Sequence, residues 1–115
     1  MAIVKSDRGA IKLRIKKAKE FMMPPLCQQI LSDCNYYCRE DQGELIASSL
    51  TASDLTNGDL VWDTSYALKV YYTGRPSHDV NAYASLMWCD KADKAHNEDW
   101  NTLANTLFER GMSQK

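Results

Sequence analysis

The residues of this chain that could do chemistry are four cysteines and two histidines, spread over residues 27–96. Cys34 and Cys38 lie four positions apart, on one face of a helix, and with His78 or Cys89 they could offer Zn²⁺ a tetrahedral set of ligands. Structural zinc sites usually bring two close cysteine pairs, or a cysteine pair and a histidine pair, and neither spacing occurs here. We therefore predict no metal site, and we interpret the thiols as packed side chains.

Other catalytic arrangements are also weakly supported. A nucleophilic Cys89 with either histidine would require only that the two meet in space, but no motif distinguishes this pair from others. Asp90 and Asp93 are typical of the solvated face of a helix, and the loop at 73–79 lacks the glycine pattern that binds phosphate. We predict that the chain is not an enzyme and uses no cofactor.

The aromatic residues concentrate in residues 60–88, which contain two of the three tryptophans and four of the six tyrosines. Large rings with a polar tip suit a surface that packs on a core and also meets a partner, so this stretch indicates recognition. Four rings at helical spacing are more typical of a core: Tyr66, Tyr71, Trp88 and Trp100. The loop chemistry beside them indicates three interface candidates instead: Tyr72, Arg75 and His78.

The net charge of −1 conceals a strong division along the chain. Residues 1–19 carry seven basic side chains and one acidic one, whereas the remainder carries seven basic and fourteen acidic ones. Such a division can mean attraction between copies of the chain, nucleic-acid binding, or only a solvated edge. For attraction between copies the candidates are Lys12, Arg14 and Lys16. Binding of nucleic acid by residues 5–19 is the alternative, although stacking rings do not accompany this segment.

Length and composition bound the architecture. With 115 residues, of which 44% are hydrophobic and 25% charged, the chain fits a single domain over residues 1–115 with loose termini. No run approaches the roughly 20 apolar residues that span a bilayer. The start of the chain is charged too early for an export signal, so we expect reduced thiols in the cytoplasm.

The first half of the chain shows a strand pattern and then a helix pattern. Apolar and basic residues alternate over 10–16, which predicts a strand with one buried and one basic face. Pro24-Pro25 suits the first turn of a helix, so the apolar spacing that follows predicts a helix from about 24 to 38. A single helical turn is expected over 44–49.

A tight hairpin is predicted around Thr56-Asn57-Gly58, because Asn-Gly tolerates the positive φ angles of a two-residue turn. Its strands would be residues 50–55 and 59–63.

The second half of the chain predicts two further helices joined by a loop. Thr64 could cap a short helix, and residues 73–79 are predicted to form an exposed loop. Asn81 could cap a last helix that ends near Gly111. The whole order predicts an α+β domain. A small antiparallel sheet, made of the N-terminal strand and the Asn-Gly hairpin, would be covered by two main helices and a short helix.

The run YALKVYYTGRPSHDVNAYASLMWCDKADKAHNEDW resembles the C-terminal part of the minor capsid proteins of long-tailed phages of Gram-positive hosts. The shared elements are a tryptophan-bearing strand, Asp-Thr-x-Tyr-Ala, a tyrosine pair, Asn-x-x-Ala-x-x-x-Trp, and a Lys-Ala helix that reaches a tryptophan. They stand here at Trp62, 63–67, 71–72, 81–88 and 91–100. With the upstream runs at 32–37 and 41–48, the resemblance covers residues 26–110.

The resemblance implies a virion structural protein, similar to the neck or tail-completion proteins that join a phage head to its tail as rings around the DNA exit path. A ring requires an interface between two different patches of neighbouring copies. We expect the basic strand of one copy to meet the acidic helix of the next. The implied partners are further copies and other neck and tail proteins, with packaged DNA nearby, no membrane and no small-molecule substrate. The implied location is the host cytoplasm before assembly and the virion afterwards.

Overall fold

The computed structural model describes residues 2–38, 43–76, 78 and 81–113, with side chains from residue 9 onward. In these ranges the protein is helical, with α1 at Ala2–Tyr36, α2 at Glu44–Ala52, α3 at Ala67–Tyr72 and α4 at Trp88–Ser113. No strand or sheet occurs in the described ranges, so the predicted α+β fold with its small antiparallel sheet is wrong. None of the described helices combines the length and the apolar character needed to cross a membrane.

The predicted strand at 10–16 lies inside α1. Its alternation does not follow the helical period, and Ile11 and Leu13 remain 49% and 51% exposed. A strand needs a neighbour to pair its backbone groups, whereas a helix pairs them within itself. Lysine, arginine and leucine are also good helix formers. The segment is therefore helical despite its two-residue pattern.

The helix predicted to begin near Pro24 runs through Pro24-Pro25 and begins far upstream. The two prolines lack N–H groups, so the carbonyls of Glu20 and Phe21 lose their helical donors. Both of those residues are exposed, which gives water access to the free carbonyls. Buried contacts on either side, at Ala18 and Leu26, favour continuation of the helix.

The chain reverses direction at the predicted Asn-Gly turn, but the hairpin strands do not form. Asp54 and Asp59 make one isolated antiparallel bridge, in which the backbone N atom of each donates to the carbonyl oxygen of the other, over 2.8 and 2.9 Å. Gly58 has φ +79°, and the Asp54 carboxylate accepts hydrogen bonds from the backbone and side chain of Asn57. α2 includes residues 50–52, the first half of the first predicted strand, and so extends the single turn expected over 44–49. Residues 60–63 have no strand partner.

The short helix is confirmed as α3, but the predicted caps differ. The hydroxyl of Thr64 is buried without a hydrogen-bond partner, and only its backbone carbonyl accepts a bond, from the N–H of Ala67 at 3.2 Å. The last helix begins at Trp88 rather than at Asn81. It continues past Gly111, which is buried inside it.

The molecule is elongated, with extents of 63 × 26 × 20 Å and a radius of gyration of 18.2 Å. A compact chain of this length would have a radius of gyration of about 13 Å. At one end, which we call the head (residues 30–38, 43–76, 78 and 81–92), the end of α1, α2, α3 and the start of α4 enclose the core. The core residues are Cys34, Cys38, Leu45, Ala67, Trp88 and Ala92. The other end, which we call the arm (residues 2–23), is the first part of α1, and α4 packs antiparallel along α1.

Candidate interaction surfaces

The arm presents basic side chains to solvent. Over residues 9–20 it carries five basic side chains and one acidic one, all exposed. On a strand, the three candidates Lys12, Arg14 and Lys16 would share one face. On a helix, Lys12 and Lys16 lie one turn apart on the same face, and Arg14 lies roughly 160° around the axis from Lys12. The helix therefore separates the predicted set.

Arg14 contacts its own chain. Its guanidinium donates a hydrogen bond to the backbone carbonyl of Met112 over 2.7 Å. That carbonyl belongs to the last turn of α4, where helical donors are missing and a cation is favoured by the helix dipole. The side chains of Lys12 and Lys16 make no hydrogen bond or ion pair with any other described residue. These two are the stronger candidates for contact with a partner.

The head presents exposed aromatic side chains. Tyr36 and Tyr83 stack on each other with ring centroids 4.9 Å apart and an angle of 22° between their planes. About half of each side chain remains exposed. We call these two residues the tyrosine pair. On α3, Leu68 is 76% exposed, and Tyr72 is 57% exposed with an edge contact to Tyr71.

The loop candidates lie on the same end of the molecule. Arg75 and His78 are both exposed, and one ring nitrogen of His78 lies 3.0 Å from the carbonyl oxygen of Ala84. The structure therefore places Tyr72, Arg75 and His78 in the head. Lys12 and Lys16 lie near the C-terminal end of α4, where Arg14 contacts Met112 and Ala18 contacts Gly111. Most of the length of α4, roughly 36 Å at 1.5 Å per residue, therefore separates the two groups.

Asn81 fixes the segment that carries Tyr83. Its side-chain amide donates to the carbonyls of Tyr36 at 2.8 Å and Cys38 at 3.0 Å, at the end of α1. Its side-chain oxygen accepts a hydrogen bond from the N–H of Tyr83 at 3.0 Å. Asn81, predicted to cap the start of the last helix, therefore caps the end of the first one. This contact brings the tyrosine pair together.

Asn35 is a structural centre of the head that sequence reasoning missed. The indole N–H of Trp62 donates to Asn35 Oδ1 at 2.9 Å, and Asn35 Nδ2 donates to Ser49 Oγ at 2.9 Å. Ser49 is fully buried. Asn35 falls four residues after Leu31 and three before Cys38, both of which are buried. A polar residue at the spacing of a buried helix face is the signal that could have identified this network.

The rings predicted as core divide into two groups. Trp88 is 1% exposed and makes edge contacts with Tyr71 at 4.6 Å and Trp62 at 5.9 Å between ring centroids. Tyr71 and Trp100 pack against the core, and the indole N–H of Trp100 donates to Asp33 Oδ2 at 2.7 Å. Tyr66 is 39% exposed, so its prediction as a core residue is wrong.

Three side chains with titratable groups meet inside the head. The pKa values of Cys34 of α1, Tyr71 of α3 and Cys89, the second residue of α4, depend on one another. Hydrogen bonds from Cys34 and Tyr71 lower the pKa of Cys89 below that of an ordinary thiol. The contact with Cys89 and burial raise the pKa of Cys34, and burial raises the pKa of Tyr71 to about 12.

All four cysteines are free thiols. Within the described ranges, no group of three or more histidine, cysteine, aspartate or glutamate residues is placed to hold a metal ion. The histidines have other partners, since His78 contacts the carbonyl of Ala84 and His96 lies 3.4 Å from Asp99.

Comparison with known proteins gives no relative of this chain: no family model, curated protein or solved structure matches it.

Proposed function

We propose that this protein is a structural component of a phage virion, a minor capsid protein of the neck or tail-completion type that forms a ring at the head–tail junction. The resemblance of residues 26–110 to that family supports the proposal. The observation that carries it is the polarity of the molecule. One end is a basic helix with half-exposed apolar side chains, and the other end presents exposed rings and carboxylates.

A ring needs two different surfaces that fit each other, and the two ends supply opposite charges. The arm is basic over residues 9–20. The head exposes several carboxylates: Glu44, Asp54, Asp59, Asp63 and Asp90. Attraction between opposite charges orients two copies and speeds their encounter, so the arm of one copy approaches the head of the next.

Apolar contact would then stabilise the encounter. Ile11 and Leu13 on the arm are half exposed and flank Lys12, one on each side around the helix axis. On the head, the tyrosine pair is half exposed and Leu68 is 76% exposed. The centres of stable interfaces are poor in charged residues and rich in tyrosine, and a contact between these apolar side chains would have the same composition. The proposed contact therefore joins two helical surfaces, and it replaces the basic strand of the sequence-based prediction.

In this proposal the protein acts by binding and performs no reaction. Its partners are further copies of itself and other neck and tail proteins, and the packaged DNA passes nearby without sequence-specific contact. The protein would be found in the host cytoplasm before assembly and in the virion afterwards.

Reversal of the arm charge tests this proposal. The variant Lys12→Glu/Lys16→Glu leaves the Arg14 contact to Met112 intact, so its fold should not change. Native mass spectrometry should show rings for the wild-type protein and monomers for this variant. The control Lys91→Glu/Lys94→Glu makes the same charge change at exposed positions of α4 and should keep its rings. A monomeric wild-type protein, or equal loss of rings in both variants, would contradict the proposal.

A second candidate function is nucleic-acid binding through residues 5–19. It is favoured by Lys12, Lys16 and Lys19, which lie along one exposed face of α1 and could follow phosphates. A gel shift of duplex DNA that weakens with salt, and that is lost when these lysines become alanine, would support it. Rings that form without any DNA shift would favour the structural role.

A further inference from the structure

The turn between Asp54 and Asp59 carries an asparagine amide that the proposed function does not use. Asn57 and Gly58 are both exposed at its tip. The carboxylate of Asp54 accepts hydrogen bonds from the side-chain amide of Asn57 at 2.6 Å and from its backbone N–H at 3.3 Å. Among the described residues, the N–H of Gly58 has no acceptor. The amide of Asn57 is therefore open to water, and the backbone N–H that follows it in the chain is not held by a hydrogen bond.

The other asparagines of the chain lack this combination. The side chains of Asn35 and Asn81 are held by hydrogen bonds to distant segments. Asn97, Asn101 and Asn105 lie inside α4, where the N–H of each following residue donates to a carbonyl one turn earlier. Each of these five is also followed by a residue with a side chain, which hinders attack on the amide by the next backbone nitrogen.

We propose that Asn57 is a modification site, which converts without an enzyme to aspartate and isoaspartate, with water as the co-reactant, and that this change opens the turn. The inference does not depend on the proposed function.

The reaction proceeds in two steps. The backbone nitrogen of Gly58 loses its proton and attacks Asn57 Cγ, the bond between Cγ and Nδ2 breaks, and ammonia leaves with a proton. The product is a cyclic succinimide. Water then adds to one of its two carbonyls, so that opening at Cγ gives aspartate and opening at the main-chain carbonyl gives isoaspartate. In total, one amide and one water become one carboxylic acid and one ammonia.

The product cannot make the contacts that hold the turn. A carboxylate at position 57 has no N–H to donate to Asp54, and two carboxylates at that distance repel each other. Asp59 lies across the bridge and adds a third negative charge. Isoaspartate also lengthens the backbone by one carbon within the turn, which shifts Asp54 and Asp59 out of register. The 2.8 and 2.9 Å bonds between these two residues should therefore be lost.

The test of the modification uses the full-length folded protein, stored in mildly alkaline buffer made with water enriched in heavy oxygen. Samples are returned to ordinary water and digested with trypsin, which cleaves after Arg39 and Lys69 and so leaves Asn57 as the sole asparagine of its peptide. We expect one heavy oxygen atom in this peptide, placed at residue 57 by fragmentation, and unchanged amides in the peptides of the other asparagines. An unmodified Asn57, or equal modification of any other asparagine, would overturn the inference.

The control for the reaction is Asn57→Gln. It keeps the amide and the charge, but its longer side chain closes a ring far more slowly, so the heavy oxygen should be lost from this peptide. Gly58 is left in place, because its φ is +79° and an added Cβ would lie 2.6 Å from Met23 Cε. Equal labelling of the glutamine variant and the wild-type protein would show that the succinimide is not the route.

The effect on the turn is measured by hydrogen exchange at the N–H groups of Asp54 and Asp59, as protection relative to the unfolded chain. Asn57→Asp should lose this protection. Asn101→Asp makes the same charge change at an exposed position of α4 and should keep it. Far-UV circular dichroism reports folding, and if the first variant does not fold, exchange in the aged wild-type protein decides. Unchanged protection at both N–H groups would overturn the proposed opening of the turn.

Discussion

Gly111 of α4 lies so close to Ala18 of α1 that a Cβ atom placed on the glycine would be 2.7 Å from the Cα of Ala18 and 3.0 Å from its carbonyl oxygen. Both residues are buried. The two helices therefore touch through their backbones at this point, and the arm is positioned by close approach rather than by large side chains. Gly111, which the sequence indicated as a helix end, is a packing residue.

Gly111→Ala should destabilise the protein. Alanine in a helix interior is favoured over glycine by up to about 1 kcal/mol, but overpacking against a backbone typically costs about 1–3 kcal/mol. We expect a net loss in the free energy of unfolding, measured by urea denaturation. Gly9 is also in a helix and has no atom within 4 Å of a placed Cβ, so Gly9→Ala should be neutral or stabilising. Equal stabilisation by both changes would refute the close contact.

Asn35→Ala should weaken the head. The change leaves the indole N–H of Trp62 without its acceptor and removes the donor to Ser49 Oγ, which keeps its own bond to the carbonyl of Ile46. Loss of such hydrogen bonds costs about 1–3 kcal/mol. A double-mutant cycle with Trp62→Phe should show coupling, because Asn35→Ala costs less once the indole N–H is gone. Asn105→Ala, at an exposed position of α4, is the control and should change the free energy of unfolding little. Additive effects of Asn35→Ala and Trp62→Phe would show that the hydrogen bond contributes nothing.

Cys89 should be the most reactive thiol of the reduced protein. Since its pKa is lowered in the folded state, its thiolate forms at lower pH than that of an unfolded chain, and iodoacetamide should label it first at neutral pH. Cys34→Ala removes a donor to this thiolate, so the midpoint of the rate-against-pH profile should move up. Tyr71 remains a donor, and the charge of Asp90 acts in the opposite direction by raising the pKa.

The control for this prediction is Cys27→Ala, which removes a thiol outside the group and should leave the profile of Cys89 unchanged. Faster labelling of Cys27 or Cys38 than of Cys89 would contradict the arrangement.

Removal of the tyrosine pair should prevent assembly and leave the monomer folded. Tyr36→Ser/Tyr83→Ser deletes two exposed rings, and an aromatic pair contributes about 0.5–1.5 kcal/mol beyond its buried area, so the monomer should lose little stability. Ring formation should be lost, because the head would lack its apolar contact for the arm. Sedimentation velocity measures the amounts of monomer and ring, and Asn101→Ala, at an exposed position of α4, is the control. Intact rings in the tyrosine variant would remove this pair from the interface.

The helical parts of the fold could be predicted where apolar residues repeat at helical spacing, as they do after Pro25 and along α4. The arm could not, because the alternation at Ile11 and Leu13 is a strand pattern in a segment that has no strand to pair with. The polar contacts were only partly predictable. Asn81 does cap a helix, but its partner lies far away in sequence, and only the fold brings the two together.

The candidate surfaces were also predictable only where local sequence determines them. Exposure of Tyr72, Arg75 and His78 could be predicted from local loop chemistry. The separation of Arg14 from Lys12 and Lys16 could not, because it depends on whether the segment is a strand or a helix. Contacts between distant segments, such as Asn35 with Trp62, also depend on the tertiary fold.

The most direct test of the central claim, that the arm of one copy binds the head of the next, is native mass spectrometry of a mixture of two variants. Lys12→Glu/Lys16→Glu keeps an intact head, and Tyr36→Ser/Tyr83→Ser keeps an intact arm. Each variant alone should be monomeric, and the mixture should contain a one-to-one dimer and no rings, because only one arm and one head in each pair can join. Rings formed by either variant alone, or a mixture that contains only monomers, would contradict the claim.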